Sequence, residues 1–383
     1  MNTEQLIQKF QDDVQNDTNW QLILSLAPNN WCELMHSTGI IQRSSRSEYS
    51  DETWFRGLLL HHVTGKSLRE TATIMSVTYD RKITDVAFYK KQKKSGEFFK
   101  ELSINLLKHL QAIQMYPVAH GLNIRLVDGT NIKEPGVTGS LYRIMYSLSI
   151  NEFCADYIDV SPVKGKGHGE SFKRVPVSKK DCMIGDRGYC TYNGIKYIID
   201  KEGYVIVRYA HKNVNLYDLA GHTLPLFHFL KGIKNPGESI DIPILCSGTD
   251  TNNNVRMRLC AIKKTPDQYQ RCIRKIEKKM SKTQRSITEE TKALQEYVIL
   301  LTNLDDNFKT HEIFEWYRVR WQIELCFKRM KSLMKLGALP KKNEESAIAW
   351  LYGKLFTALL IEKFLNCLNS KSFSPWGFCA HAP

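Results

Sequence analysis

The strongest constraint on the fold is a series of short apolar runs between residues 123 and 210, rich in β-branched and aromatic residues and bounded by turn signals. Five runs have the length and composition of strands: "NIRLVDGT", "YRIMYSLSI", "FCADYIDV", "CMIGDRGY" and "YVIVRYA". A possible short helix, "HGESFKRV", precedes the fourth run, and a helix-like stretch, "TYNGIKYIIDKEG", precedes the fifth. The order β-β-β-α-β-α-β predicts an α/β domain with three antiparallel strands followed by parallel additions.

This predicted order is that of an RNase H-like fold, in which the first and fourth strands lie side by side. Asp128 stands at the end of the first run and Asp186 at the end of the fourth. The carboxyl ends of strands open into the crevice of an α/β sheet, so we expect the two carboxylates to lie close together. Each Asp, followed closely by Gly, would also suit a plain turn.

A later run, "YRVRWQIELCFKRMK" (317–331), mixes charged and apolar residues. On a helical wheel at roughly 100° per residue, the apolar side chains gather on one face. A second face spans an arc of roughly 80° and carries Tyr317, Arg320, Glu324, Lys328 and Lys331. The simplest alternative is a solvated face with ion pairs at helical spacing.

Glu324 would bring a third carboxylate to the two aspartates if this helix packs on the same edge of the sheet. Three converging carboxylates are costly unless cations neutralise them, and hard oxygen ligands favour Mg²⁺ or Mn²⁺. The sequence therefore predicts a site for two such ions, with Asp128, Asp186 and Glu324 as both the metal ligands and the catalytic residues. Arg320, Lys328 and Lys331 would bind DNA phosphates, and Tyr317 would donate its hydroxyl to one.

The excess of basic over acidic residues favours a polyanionic partner such as nucleic acid. The chain has 54 Lys and Arg against 40 Asp and Glu, a formal net charge of +14. The ten cysteines form no CxxC pair, and the chain opens without an apolar signal segment, so we expect reduced thiols in a cytoplasmic protein. The apolar stretch "LYGKLFTALLIEKFLNCL" is interrupted by charged residues and predicts a packed helix, with no membrane partner.

Residues 1–115 are expected to form an all-α DNA-binding region. Ser67 and Glu70 form a predicted capping box, and a second helix starting near Thr84 leads into "VAFYKKQKK", which together suit a helix-turn-helix. Many other helical hairpins have the same pattern. Residues 120–383 are predicted to form the RNase H-like catalytic domain, interrupted by a strand-rich insertion subdomain at 211–305.

The spacing Tyr317, Arg320, Glu324 and Lys331 resembles the Y-x2-R-x3-E-x6-K signature of bacterial DDE transposases of the insertion sequence four family. "DGT" at 128 and "DRGY" at 186 resemble that family's two Asp motifs. The resemblance covers roughly residues 120–335. It implies metal-dependent nicking at the ends of an insertion element, hairpin formation by the freed 3′-hydroxyl, and strand transfer into target DNA. It also implies a homodimer on double-stranded DNA, bound to the element's terminal inverted repeats.

Three other functions remain open at the level of sequence. An RNase H-like nuclease or Holliday junction resolvase would use the same metals but would not join strands. A repressor would bind DNA through the N-terminal helices without catalysis. A degenerate transposase would bind element ends and carry out no chemistry.

Overall fold

The computed structural model of the protein describes residues 5, 12, 20–41, 49–111, 121–133, 141–151, 154–165, 167–211, 213–248, 253–283, 288–321, 323–324, 327–328, 331, 339 and 343–368. The chain divides into two compact units. Unit 1 comprises Met1–Pro117, Asp128–Gly169 and Trp321–Pro383, and unit 2 comprises Val118–Val127 and Glu170–Arg320. The assignment of functions to residues 1–115, 120–383 and 211–305 stays a prediction.

Unit 1 contains the N-terminal helices and the last described helix. In chain order these are α1 (Trp20–Leu26), α2 (Trp31–Ser37), α3 (Asp51–Thr64), α4 (Leu68–Thr78), α5 (Asp85–Gln111) and α11 (Glu344–Leu368). Aromatic rings fill the core between the long helices: the Phe356 ring lies 5.6 Å from that of Phe99 and 6.4 Å from that of Phe55. Burial of these large apolar side chains is the main force that holds the helices together.

The predicted capping box at the start of α4 is confirmed. The Ser67 hydroxyl accepts a hydrogen bond from Glu70 N, and the Glu70 carboxylate accepts one from Ser67 N at 2.8 Å. Thr84 likewise accepts a bond from Ala87 N at the start of α5. The side chains that cap the first turns of α4 and α5 are therefore those at which the sequence predicted the two helices to begin.

The described strands form a nine-stranded sheet in the order β3-β2-β1-β4-β5-β9-β8-β7-β6. The strands are β1 (Asn123–Ile132), β2 (Tyr142–Ser149), β3 (Cys154–Pro162), β4 (Asp181–Gly185), β5 (Tyr204–Arg208), β6 (Asn215–Tyr217), β7 (Ser239–Ser247), β8 (Val255–Lys263) and β9 (Tyr297–Thr302). The β2–β3 pair is antiparallel, whereas β4 is parallel to both β1 and β5. The predicted mixed α/β sheet and the neighbouring first and fourth strands are thus confirmed.

The ends of β1 and β4 determine where the two predicted catalytic aspartates lie relative to their strands. The fourth strand stops at Gly185, directly before Asp186, as expected. The first strand was predicted to end at Asp128 but continues to Ile132. Thr130 and Ile132 are buried on either side of exposed Asn131, an alternation that belongs to a strand with one packed face. Packing of these two residues keeps the chain extended past an Asp-Gly pair that would suit a turn.

The remaining helices of unit 2 are α6 (Tyr192–Asp200), α7 (Leu226–Lys231), α8 (Pro266–Thr283), α9 (Glu289–Gln295) and α10 (Thr310–Val319). Although the charged composition from about 266 to 296 predicts one long helix, α8 and α9 are separate helices, and α9 has its own N-cap at Thr288. In place of the short helix predicted for "HGESFKRV" there is one 3₁₀ turn, Phe172–Arg174. Within the described part of the chain, every helix is too short or too polar to span a bilayer.

Strands of the segment 211–305 continue the sheet. β8 pairs antiparallel with β9 along six residues, and β7 pairs antiparallel with β8 along eight. The pairing of β5 with β9, from Ile206–Thr302 to Arg208–Leu300, joins these strands to the parallel part of the sheet. Unit 2 therefore holds a parallel region and an antiparallel region in one hydrogen-bonded ladder.

Candidate active site

Asp186 is positioned by the strand before it and the turn after it. All five residues of β4 are buried, so the strand is fixed by packing on both faces. Asp186 itself is half-buried, and its Oδ1 accepts a hydrogen bond from Gly188 N at 2.8 Å. This bond makes Asp186 the N-cap of a 3₁₀ turn, Arg187–Tyr189. The carboxylate is thereby held in one direction where the buried strand reaches solvent.

Two glycines allow the close packing of this motif. A Cβ atom at Gly185 would lie 2.6 Å from Cζ of the buried Phe172 ring, which leaves no room for a side chain. A Cβ at Gly188 would lie 2.3 Å from Oε2 of Glu170 and 3.1 Å from Oδ1 of Asp186. Glu170 was not among the predicted site residues, yet in unit 2 its carboxylate lies against the Asp186 turn.

Tyr317 and Arg320 lie near Asp186 in the same unit. Cζ of Arg320 is 5.7 Å from the centre of the Tyr317 ring, within the range of a cation–π contact. Burial raises the pKa of the Tyr317 phenol; the charges of Arg320 and Arg208 lower it, and the Asp186 carboxylate raises it. All three groups are therefore within electrostatic range of this phenol. Three of the predicted site residues, Asp186, Tyr317 and Arg320, are therefore brought together.

Two further arginines belong to this group and were not predicted. Arg187 follows Asp186 directly, and Arg208 is the last residue of β5. Burial lowers the pKa of Arg187, and Arg208 lowers it further, whereas Tyr317 and Asp186 raise it. The Nε atoms of Arg187 and Arg208 are buried without a hydrogen-bond partner among the described residues. Two guanidinium groups with unused donors are suited to an anion.

A signal for Arg208 was present in the sequence. It ends the run "YVIVR", and β5 is the parallel neighbour of β4. A cation at the carboxyl end of one parallel strand lies at the same edge as a carboxylate at the end of the next. Arg208 could have been found by treating polar residues at all strand ends alike.

Lys264 adds a fourth cation to unit 2. Its side chain is buried, and its ammonium donates a hydrogen bond to the Gln295 carbonyl. The pKa of Lys264 is lowered to about 8: burial is the largest cause, Cys272 raises the pKa, and the charges of Arg208 and Arg187 lower it. The positive potential that these arginines create therefore extends to a buried lysine.

Asp128 and Lys331 form the corresponding group of unit 1. Asp128 is half-buried, and its Oδ1 accepts a hydrogen bond from Gly129 N at 2.7 Å. Lys331 is exposed, yet partial burial lowers its pKa, the Asp128 carboxylate raises it and Lys133 lowers it. The carboxylate and the predicted phosphate-binding lysine are thus electrostatic neighbours. Lys133, close to the same lysine, was not predicted.

The other two predicted residues, Glu324 and Lys328, are helical. Glu324 is half-buried and Lys328 is exposed. Ile323 and Phe327 are buried, and the Phe327 ring lies 5.7 Å from that of Tyr146. The charged and apolar faces that the helical wheel predicted are therefore confirmed for these described positions.

The helix has one local irregularity, at Arg320. α10 ends at Val319, Arg320 keeps right-handed helical dihedral angles (φ −50°, ψ −28°), and helical residues resume at Trp321. Arg320 N donates to the Tyr317 carbonyl at 3.1 Å, an i to i−3 bond that tightens the last turn. The regular i to i−4 hydrogen-bond pattern therefore changes at Arg320.

Each unit thus pairs a half-buried carboxylate with basic side chains. In unit 2 the cations are arginines with buried Nε atoms together with the buried Lys264, and in unit 1 the cations are lysines at the surface. A carboxylate offers about four acceptor positions, and the backbone N–H bonded to it occupies only one of them. Carboxylates that ligate cations, beside arginines and lysines that bind phosphates, are the groups required for chemistry on a phosphodiester.

Comparisons with known proteins agree with this chemistry. Residues 167–361 match the family described as the transposase DDE domain. The chain is 27% identical over 357 residues to the InsL protein of Escherichia coli K12, assigned as a transposase for insertion sequence element IS186A, with 91% of this chain and 94% of that protein covered. It is 26% identical over 358 residues to the transposase for IS421 of Escherichia coli, at 91% and 94% coverage. A transposase for IS1151 of Clostridium perfringens is 24% identical over 354 residues, with 84% of this chain and 74% of that protein covered.

Proposed function

The chain belongs to the family of transposase DDE domains, and on that ground we propose that Asp128, Asp186 and Glu324 are its three catalytic carboxylates. The protein is a DNA transposase, an enzyme that cleaves DNA and transfers the strands. The residue assignment is carried by one observation above all, the register of the two strands that bear the aspartates.

The register of β1 and β4 supports a common position for the two aspartates. The last pair in this parallel ladder is Leu126 with Ile184. Asp128 stands two residues after Leu126, and Asp186 stands two residues after Ile184, directly past the end of β4. Residues two apart point to the same face of a strand, so equal offsets from one pair favour side chains on a shared face. This agrees with an RNase H-like arrangement of the catalytic strands.

Glu324 is proposed as the third carboxylate from its place in the signature. It follows Tyr317 by seven residues and precedes Lys331 by seven. Tyr317 is an electrostatic neighbour of Asp186, and Lys331 is one of Asp128. One signature residue before Glu324 and one after it are therefore each electrostatic neighbours of an aspartate, which supports a catalytic role for the glutamate.

The donor set fits a hard divalent cation. Three carboxylates match the ligands of Mg²⁺ or Mn²⁺, and the family depends on divalent metal. Two ions held by Asp128, Asp186 and Glu324 would activate a water or a 3′-hydroxyl and stabilise the leaving oxygen. The carboxylates fix where that chemistry occurs, and the neighbouring cations hold the strand in place.

DNA phosphates are proposed to bind the basic residues around the carboxylates. Arg320 offers a planar fork of donors, whereas Lys328 and Lys331 act as point charges at the surface. The Tyr317 hydroxyl donates to a phosphate oxygen. Arg208 extends this surface in unit 2, because its buried Nε has an unused donor. The overall charge of +14 gives the long-range attraction that brings DNA to these groups.

We infer that α4 and α5, within the predicted DNA-binding region 1–115, contact the element ends. The connection between them and the first turns of α5 expose Lys82, Tyr89, Lys90 and Lys94. Basic and aromatic side chains on one exposed side of a helix-turn-helix are suited to phosphates and base edges. A homodimer with one such surface per copy would bind the two terminal inverted repeats together.

The reaction proposed is cut-and-paste transposition through hairpin ends. Water attacks a phosphorus at the element end and breaks its bond to O3′, which leaves a 3′-hydroxyl. This hydroxyl attacks a phosphorus of the opposite strand, displaces the 3′-oxygen of the flanking DNA and closes a hairpin. Water then opens the hairpin at the same phosphorus, which restores the 3′-hydroxyl for transfer into target DNA.

The test uses a supercoiled plasmid that carries the gene with its native flanks, incubated with the purified protein and Mg²⁺ or Mn²⁺. Release of the gene-bearing fragment with hairpin ends, lost in Asp128→Asn, is the expected result. Metal-dependent cleavage without hairpins would overturn the hairpin route and leave simple nuclease or other transposition chemistry. Binding of the flanks without any cleavage would overturn the catalytic proposal in favour of a repressor or a degenerate transposase.

A further inference from the structure

Three metal-ligating side chains of different types meet at the corner between α2 and α3 in unit 1. Cys32 and His36 are four residues apart on α2, so they project from the same side of that helix. Asp51 is the first residue of α3. One ligand atom from each, the thiol sulfur, a ring nitrogen and a carboxylate oxygen, lie within 4.8 Å of one another.

A single oxygen links the three groups. Oδ2 of Asp51 is 2.7 Å from Nε2 of His36 and 3.5 Å from Sγ of Cys32. Around a tetrahedral Zn²⁺, with bonds of about 2.0 Å to N and O and about 2.3 Å to S, ligand atoms stand roughly 3.3–3.5 Å apart. The sulfur–oxygen distance already fits, and the nitrogen–oxygen distance needs to open by only about half an ångström.

The elements that carry these ligands are held firmly. Trp31, adjacent to Cys32, stacks on Phe55 of α3 with ring centres 5.2 Å apart and an interplanar angle of 17°. Met35, adjacent to His36, is fully buried. The Ser50 side chain caps α3 directly before Asp51. Ligands on helices fixed by packing lose little freedom when they bind a cation.

Neighbouring charges also favour a cation. Burial, the hydrogen bond to Asp51 and the charges of Asp51 and Glu33 all raise the pKa of the Cys32 thiol. Burial lowers the pKa of Lys91, and the Asp51 charge raises it. The Lys91 ammonium donates a hydrogen bond to the Ile40 carbonyl. A thiolate, a carboxylate and a neutral imidazole together would balance the two charges of a divalent ion.

An ordinary His–Asp ion pair is the simpler explanation, and the chain contains one for comparison. His222 and Asp218 are paired at 3.3 Å with the same four-residue spacing along the chain as Cys32 and His36. Within the described ranges, no other group of three or more His, Cys, Asp and Glu ligands converges as this one does. The thiol of Cys32 distinguishes the corner from a surface ion pair.

We propose that Cys32, His36 and Asp51 form a binding site for a thiophilic divalent cation such as Zn²⁺, with water in the fourth position. On binding, the Cys32 S–H bond breaks, the thiolate sulfur ligates the ion, and the proton passes to solvent. The site is separate from the all-carboxylate set, whose oxygen ligands suit Mg²⁺ or Mn²⁺. A bound ion would tie α2 to α3.

The test is a titration of the full-length, chelator-treated protein with Co²⁺ in the absence of DNA, followed by displacement with Zn²⁺. The expected result is a thiolate-to-cobalt charge-transfer band that saturates at one equivalent and disappears with Zn²⁺. Cys32→Ser should abolish the band, and His36→Ala should weaken binding by more than about tenfold, since even the loss of an outer-shell partner costs 10- to 100-fold.

Matched controls make the outcome decisive. Cys272→Ser removes another half-buried thiol, and His222→Ala removes the other His–Asp pair. Both should keep the band, and so should Asp186→Asn, which separates this site from the proposed catalytic metals. Circular dichroism of each variant checks that its helices are intact. The proposal is overturned if the unaltered protein gives no band, or if a folded Cys32→Ser variant retains it.

Discussion

Strand β4 has an aspartate at its first position and another directly after its last, and their surroundings differ. Asp181, at the start, is 3% exposed. Its carboxylate accepts three hydrogen bonds of 2.8 Å, from Nη1 of Arg125, Nδ2 of Asn123 and Ser178 N. Arg125 is itself only 6% exposed, so the two charges form a buried ion pair. A carboxylate with this many partners holds the strand in place and has little capacity for another ligand.

Asp186, five residues later, is half-buried and is held by the N–H of Gly188 in its own turn. Its charge influences Tyr317 and Arg187, which lie toward the solvent-facing end of the strand. The same residue type therefore stabilises the fold at one end of β4 and remains open to a cation at the other. The number of protein partners, more than burial of the strand, separates a structural carboxylate from a candidate catalytic one.

The largest effect is expected from Asp186→Asn. Loss of one negative ligand should lower metal-dependent DNA cleavage by about four orders of magnitude, roughly 5 kcal/mol of transition-state stabilisation. The free energy of unfolding should change by no more than about 0.5 kcal/mol, because an amide can keep the Gly188 bond. Plasmid cleavage and urea unfolding measure the two quantities. A large loss of stability would mean that Asp186 also stabilises the fold, as Asp181 does.

Asp181→Asn makes the matched change at the other end of the strand. It should lower the free energy of unfolding by about 3–5 kcal/mol, because Arg125 would remain buried without its counter-ion. Urea denaturation with both variants compares the ends of β4 directly. If Asp181→Asn unfolds at the same urea concentration as the unaltered protein, the ion pair does not stabilise the strand and the structural role assigned to it is wrong.

Lys264 is a buried cation, as Arg125 is, but it lies near two arginines, whereas Arg125 is paired with Asp181. Its pKa in the folded protein is about 8, below its ordinary value, so the unfolded chain binds more protons above pH 8. The free energy of unfolding should therefore rise between pH 8 and 10, by up to about 2 kcal/mol from this group. Unfolding curves across that range give the slope.

Lys264→Met is the variant that isolates this contribution. It removes the titrating group and keeps a long apolar side chain, so its unfolding free energy should rise less steeply with pH than that of the unaltered protein. Equal slopes in the two proteins would mean that Lys264 titrates normally in the folded state.

The smallest effect is expected at Lys331, the exposed cation beside Asp128. Lys331→Ala should weaken binding of the element ends and reduce the salt dependence of binding, the slope of log K against log salt, by about one. Lys201→Ala, at an exposed lysine directly after α6, is the matched control and should leave the slope unchanged. An unchanged slope in Lys331→Ala would mean that Lys331 contacts no DNA phosphate and lies on an ordinary solvated face.

Local patterns predicted much of the fold. The buried run before Asp186, the capping box of Ser67 and Glu70 and the neighbouring first and fourth strands were all recoverable, because hydrophobic periodicity and side-chain capping act over a few residues. The extension of β1 past Asp128 depends on burial of Thr130 and Ile132, a tertiary effect that overrides the turn preference of Asp-Gly.

The candidate site was predicted less completely, for a related reason. The signature residues and both Asp motifs could be read from spacing and resemblance. The tightened turn at Arg320 could not, since a helical wheel assumes a regular helix. Arg208 and Lys264 depend on which strands become neighbours once the sheet has formed, and Glu170 depends on how a loop packs against Gly188.

The pairing of β5 with β9 has a consequence for synthesis on the ribosome. Ile206 pairs with Thr302, so β5 leaves the ribosome long before its partner and its edge stays unpaired while the intervening chain is made. β8 also waits for β9 on one side. Such long-range closure is slow, and open strand edges promote association between chains. Premature termination before Tyr297 would therefore yield fragments that aggregate. Once β9 is complete, it covers the open edges of β5 and β8, and a newly made chain no longer exposes them to other chains.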